Sequence, residues 1–146
     1  MSVIDREQAI KGTVLLVRDV LTNNITDPLS SRRTTGKFVM TSWPTRETVM
    51  PLITVNQQGW QSQYLGTSTD NTIAKIGVEI NVWTQNASVR DSLAGSAITV
   101  LEQQRNLIIG SGLHDFRINN ATDLDEEGAQ GVHRKLIEVS YLYPSQ

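Results

Sequence analysis

A chain of 146 residues that is 38% hydrophobic and 19% charged can bury a real core and is far from the composition of disordered chains. A soluble domain of this size removes roughly 70% of its unfolded surface from water. The formal net charge of −2 supplies no global positive field for holding a nucleic-acid backbone, which argues against DNA binding as the main task but not against a position beside DNA. With no cysteine in the chain, disulfide scaffolds, thiolate zinc sites and cysteine nucleophiles are all excluded.

The opening residues, Met1 to Glu7, are polar and give no secretory h-region. The longest apolar run, Val14-Leu15-Leu16-Val17, falls far short of the ~20 residues that span a bilayer. A cytoplasm-like compartment is therefore expected. In that compartment the Asn-x-Ser/Thr triplets at Asn24, Asn86 and Asn120 read as coincidence.

The first predicted element is a helix from about Asp5 to Leu21. Asp5 and Gln8 have capping-box spacing, and Ile10, Val14, Val17 and Leu21 recur on one face. Gly12 interrupts the stripe at a cost of about 1 kcal/mol relative to Ala, and Asn23-Asn24 is a plausible stop. Asp27 to Gly36 reads as an exposed connector whose adjacent Arg32 and Arg33 are candidate loop contacts, either solvated or touching a partner or passing nucleic acid.

Two β-rich runs follow, Lys37 to Trp43 and Val49 to Val55, joined through Pro44-Thr45-Arg46-Glu47-Thr48. Phe38 and Met40 alternate with Val39, Thr41 and Trp43, so both faces carry apolar groups, as in a strand covered twice. Pro51 cannot donate a ladder hydrogen bond and points to an edge or bulge. Trp60 to Leu65 is a third run and Gly66 to Asn71 a turn-rich loop. The clearest strand places Ile76, Val78, Ile80 and Val82 on one face and Lys75, Gly77, Glu79, Asn81 and Trp83 on the other.

Ser88 and Asp91 have cap spacing for a second helix, whose stripe is Val89, Leu93, Ala97, Val100 or Leu101, and Ile108. Gly110-Ser111-Gly112 ends it. The last strands are Leu113 to Asn119 and Val132 to Tyr143, with a polar, acidic loop from Asn120 to Gly131 between them. The order α-β-β-β-β-α-β-β predicts one α+β domain over residues 1–146, a mostly antiparallel sheet with two helices packed on one face.

Chemistry-bearing patterns are sparse. No glycine-rich loop leads into a helix, and Gly110-Ser111-Gly112 lacks nucleophile-elbow spacing. His114 and His133, near the starts of the last two strands, are candidate cross-strand neighbours but make an incomplete metal site. Asp123-Leu124-Asp125-Glu126-Glu127-Gly128 imitates the start of an EF-hand loop, yet Arg134 stands where the bidentate glutamate belongs and the flanks read as strands. Glu79 and Glu138 are candidates to pair across strands, with no sign of the pocket that paired acids need for catalysis. The expectation is no catalytic set, no metal and no cofactor.

The run Phe38-Val39-Met40-Thr41-Ser42-Trp43-Pro44, then Arg46 and Met50-Pro51-Leu52-Ile53-Thr54-Val55, is similar to a hairpin of long-tailed bacteriophage neck proteins. Arg90-Asp91-Ser92-Leu93-Ala94-Gly95-Ser96-Ala97 and the ending His133 to Tyr141 fit the same picture. The chain resembles a tail terminator or tail-completion protein. The resemblance implies an α+β subunit of a hexameric ring that caps the tail tube, stops its growth and faces the head connector. Its implied partners are copies of itself, the tube protein and the connector or stopper, with DNA only as passing cargo, no sequence-specific binding and no membrane. Its implied location is the virion, with assembly in the host cytoplasm. A head-completion or stopper protein is the near alternative, and a small-ligand or nucleic-acid binding module or a hydrolase are the distant ones.

Within that picture the candidate assembly residues fall in two groups. Trp43, Pro44, Arg46, Glu47 and Met50 have the aromatic, Arg and Met character of interface anchors. Asp123, Asp125, Glu126 and Glu127 form a self-repelling cluster that solvent, a basic partner or a DNA passage would accommodate.

Overall fold

The computed structural model describes residues 9–27, 38–41, 50–64, 72–124 and 133–145. Among these the order is α1 (Ala9–Asn24), β1 (Val39–Met40), β2 (Leu52–Tyr64), β3 (Thr72–Thr84), α2 (Ala87–Gln103), α3 (Arg105–Gly110), β4 (His114–Asp123) and β5 (His133–Ser145). One five-stranded sheet runs β1-β2-β3-β5-β4, antiparallel at every junction except the parallel β1–β2 pair. The α+β class and the mostly antiparallel sheet are as the sequence predicts.

Period-2 alternation builds the sheet's dry face. Ile76, Val78, Ile80 and Val82 of β3 and Ile137, Val139 and Tyr141 of β5 are wholly buried, and Ile53 and Val55 of β2 join them. Register sets Ile76 against Tyr141, Val78 against Val139 and Ile80 against Ile137. The helices close this same face, since their buried side chains belong to the same apolar cluster. Tyr141 stacks on Phe116 with ring centroids 5.2 Å apart. Its hydroxyl is buried with no hydrogen-bond partner among the described residues, and that burial pushes the phenol far above its ordinary range.

Helix α1 turns a wider apolar surface inward than the predicted stripe. Ala9, Thr13, Val14, Leu16, Val17, Val20 and Leu21 are buried, whereas Ile10 is 41% exposed. The buried Thr13 hydroxyl is satisfied by donating to the Ala9 carbonyl at 2.6 Å. The chain leaves the helix at Asn24, whose amide donates to the Val20 carbonyl at 2.8 Å. The predicted Asp5–Gln8 box lies outside the described residues.

Four other expectations are corrected. The runs around Val39 and Ile53 do not form a hairpin: Val39 pairs with Ile53 and Met40 with Thr54 in parallel. The predicted second and third strands are one 13-residue strand, β2, and the break between them is a register shift at Gln57–Gly59. Gly59 faces Gly77 there, and a side chain at Gly77 would press on Gln58 at 3.2 Å. Helix α2 is capped by Asn86, not Ser88. The extended Asn86 backbone lets its side chain accept from the Ser88 and Val89 amides at 2.8 and 3.3 Å, freeing Asp91 for another role.

The fourth correction concerns the chain end of the helical layer. The predicted second helix breaks at Gln104, and α3 carries Ile108 into the core, while Val89 stays 40% exposed. The stop at Gly110-Ser111-Gly112 is as predicted, with Gly112 at φ 99°, where a side chain would be strained. Strand β4 continues through Asn120 to Asp123, residues expected in the loop, and the Leu124 amide donates to the Arg134 carbonyl at 2.8 Å. Pro51, which has no donor, sits just before β2, and the Met50–Pro51 bond is cis.

The two readings of α1 give a direct test. Ile80→Ala should cost roughly 2–5 kcal/mol by emptying the core, and Ile10→Ala should stay within about 0.5 kcal/mol of the parent. Urea titrations with unchanged slope would report both. A large loss from Ile10→Ala would return Ile10 to the buried stripe.

Candidate assembly surfaces

Most of the first candidate group, Trp43, Pro44, Arg46 and Glu47, lies outside the described residues, as do Arg32, Arg33, Asp125, Glu126 and Glu127. Met50 is described and half-buried, two residues before β2. Asp123 is also described, and its position changes its role.

Asp123 closes β4 opposite Lys135, on the sheet face that meets α2. Its carboxylate lies 3.3 Å from Lys135 Nζ and 3.3 Å from a terminal nitrogen of Arg90. Arg90 is the odd residue of α2, a guanidinium whose side chain is only 8% exposed. It also reaches Asp91 through Nε at 3.1 Å, and Lys135 reaches Asp91 at 3.2 Å. Two cations and two carboxylates from α2, β4 and β5 thus form one connected set. A buried guanidinium is tolerated only when paired in this way.

The set explains two shifted groups. The hydrogen bond from Arg90, followed by that from Lys135, holds the Asp91 carboxyl below its usual 3.8. Partial burial works against the charged form of Lys135, but the hydrogen bonds it donates to Asp91 and Asp123 outweigh it and raise its pKa above 10.5. Asp123 therefore belongs to the chain's own scaffold, engaged by two cations. Among the described residues no group of three His, Asp or Glu could hold a metal ion.

The sheet face away from the helices is polar across its middle. Asn56, Glu79, Glu138 and Asn120 line up in one row across β2, β3, β5 and β4. Glu79 and Glu138 are direct cross-strand neighbours, as the sequence suggested, and their like charges oppose each other. Beside that row the glycines of β2 and β3 leave a shallow open trough of about 340 Å³ edged by Gln58, Gln61, Lys75, Asn119 and Glu138. It is an open surface, unlike the enclosed pocket in which paired acids divide their pKa values.

Toward the start of β2 this face becomes packed. Leu52 is wholly buried although it points away from the helical layer, beside Trp83 in register, and Thr54 and Asn81 are nearly so. Trp83 donates its indole N–H to the Thr54 hydroxyl at 3.1 Å, and the Arg134 guanidinium lies over the Trp83 ring at 4.9 Å. Periodicity does not predict this second packing site, because Trp83 falls among Lys75, Gly77, Glu79 and Asn81 on the wetter face of its strand.

The two histidines are separated. His114 pairs with Leu142 and His133 with Thr84, at opposite ends of β5, because the β4–β5 register is antiparallel. A larger groove of about 840 Å³ runs between the end of α1 and the outer side of α2, past Ile25, Val89, Leu93 and a series of small hydroxylated residues. No helix among the described residues is long and apolar enough to cross a membrane. The chain matches no known protein family, and no curated protein is significantly similar to it.

The charge set has a pH signature. The lowered Asp91 pKa contributes stability that is present above about pH 3.8 and is lost as pH falls through its lower folded-state value. The raised Lys135 pKa contributes stability that is present below about pH 10.5 and is lost as pH rises past its folded-state value. Arg90→Met removes the principal donor to Asp91, so the acid-side loss should be smaller in that variant than in the parent. Urea titrations from neutral pH to about pH 3 would measure it, and identical acid slopes would show that Arg90 does not hold Asp91.

Proposed function

We propose that the protein is a structural subunit of a ring that caps the tail tube of a long-tailed bacteriophage, ends tail growth and joins the tail to the head connector. The observation that carries the reading is the one-sided build of the sheet. Among the described residues helices cover only one face, while the middle of the other presents a polar row and a trough suited to contact with further protein. The resemblance of the Arg90–Ala97 stretch and of the run His133 to Tyr141 to neck proteins supplies the particular class, while the Phe38–Val55 run pairs in parallel and not as the hairpin that the resemblance implies.

Ring assembly needs two different matching patches on each subunit. The candidates are the surface around Trp43 to Met50 and the acidic run beyond β4. Asp123 is engaged by Arg90 and Lys135, and Asp125, Glu126 and Glu127 are the remaining candidates for contact with a neighbour. They would dock on a basic rim or line the passage through which DNA moves as cargo, where a negative wall does not trap phosphates.

The test is assembly on isolated tail tubes. Negative-stain images and native mass spectrometry should show one ring, of six copies, at the tube end, and tails assembled without the protein should overgrow. One copy per tube together with tails of normal length would contradict the proposal.

Neutralising Asp125, Glu126 and Glu127 to amides, with Asp123 left intact, separates the loop's two roles. If the loop docks on a basic rim, the variant should bind the tube more weakly and with less dependence on salt. If it lines the passage, binding should hold while DNA ejection slows. Full infectivity of the variant would assign the loop to solvent.

A further inference from the structure

We infer that the open edge of β2 pairs, antiparallel and head to tail, with β4 of a neighbouring copy, so that the sheet continues from subunit to subunit. The inference rests on the ring reading and names its interface.

The edge itself is the first argument. β1 pairs only with Ile53 and Thr54, and the Asn56 amide, turned to donate to the Thr41 carbonyl at 2.6 Å, ends the contact with that strand. Beyond it, to Tyr64, no described residue pairs with the outer side of β2. Soluble proteins guard such edges with charges or proline. The stretch Val55 to Tyr64 contains no Lys, Arg, Asp, Glu or Pro. An unguarded row of backbone donors and acceptors is a site for strand addition.

The partner follows from the opposite edge of the same sheet. Among the described residues β4 pairs only with β5, and none of them lies along its outer side. Each of its charges is compensated within its own subunit: Asp115 by Arg117 at 3.1 Å, and Asp123 by Arg90 and Lys135. β4 therefore brings no unpaired charge to the uncharged β2 edge. Its register shifts, near His114–Arg117 and Ile118–Asn120, deter indiscriminate pairing and favour a strand of matching irregularity. β2 carries a shift of its own at Gln57–Gly59.

Strand direction completes the match. β2, β3, β5 and β4 alternate in direction, so the two open edges run opposite ways. A copy rotated about an axis parallel to the strands brings its β4 alongside β2 in the same antiparallel alternation. Two different edges of one chain make a heterologous contact, the kind that closes into a ring.

The chain has no cysteine, so introduced thiols are unique. Gln61→Cys on β2 and Asn120→Cys on β4 are both exposed positions, joined across the interface with a flexible bismaleimide on tube-assembled protein. The double variant should give a covalent ladder up to the full ring, and an equal mixture of the two single variants should stop at dimers. Rings visible in images but left uncrosslinked in the double variant would overturn the interface and leave the ring reading standing. A double variant that stops at dimers would replace head-to-tail pairing with a two-fold contact and overturn it too. If no ring forms, the ring reading and the interface fail together. As an independent check, Gln57→Lys with Gln61→Lys should abolish rings while keeping the parent's melting temperature, and rings that persist would contradict strand pairing.

Discussion

The pairing of β3 with β5 is the constraint on which the rest of the structure depends. Both strands are 13 residues long and they stay in register from Thr72–Ser145 to Thr84–His133 without a bulge. Because the side-chain period is 2, that single register fixes which residues face the helices and which face out. A slip of one residue would bring Glu138 to the dry face and take Val139 away from it. β2 and β4 are added to either side of this pair, and both contain the irregularities that the central pair lacks.

The dry face holds the helices by burial and by one charged tie. Leu93, Ala94, Ala97 and Leu101 bring α2 onto the sheet, and Arg90 ties its first turn to the end of β4 through Asp123. The tie matters because Asp123 begins the acidic run and Lys135 follows it on β5. The helix, the hairpin base and the root of that run are held as one body, so a contact made by the acidic residues would be transmitted to the core. The opposite face has no comparable layer among the described residues.

Much of the fold was legible because its strongest elements repeat a clean period. The alternation from Ile76 to Val82 and from Ile137 to Tyr143 identified β3 and β5, and the glycines after Ile109 identified the end of the helical layer. The misses have local causes. A bulge at Gln57–Gly59 looks like a turn between two strands, because a single extra residue inverts the alternation after it. The β1–β2 pair looks like a hairpin because short-range order favours antiparallel neighbours, and parallel pairing leaves no local signature. The cap at Asn86 is hidden in the sequence because Ser88 and Asp91 offer the better-known spacing. At the candidate site, the four-membered charge set was illegible. Arg90, Asp91, Asp123 and Lys135 meet only through tertiary packing, and a buried arginine on a helix stripe reads as a surface residue until the fold places it. The separation of His114 from His133 was likewise a question of register, which position in the chain alone does not give.

Native-state hydrogen exchange tests the central claim, that the β3–β5 ladder is the spine of the fold, most directly. The account predicts that amides shared between β3 and β5 exchange last and only through global unfolding, with an opening free energy equal to that from denaturant titration. α1, α3 and the outer strand β4 should open at lower cost. If β3 or β5 amides exchange ahead of the helices, or through a cheaper local opening, the ladder is not the element that holds the rest in place.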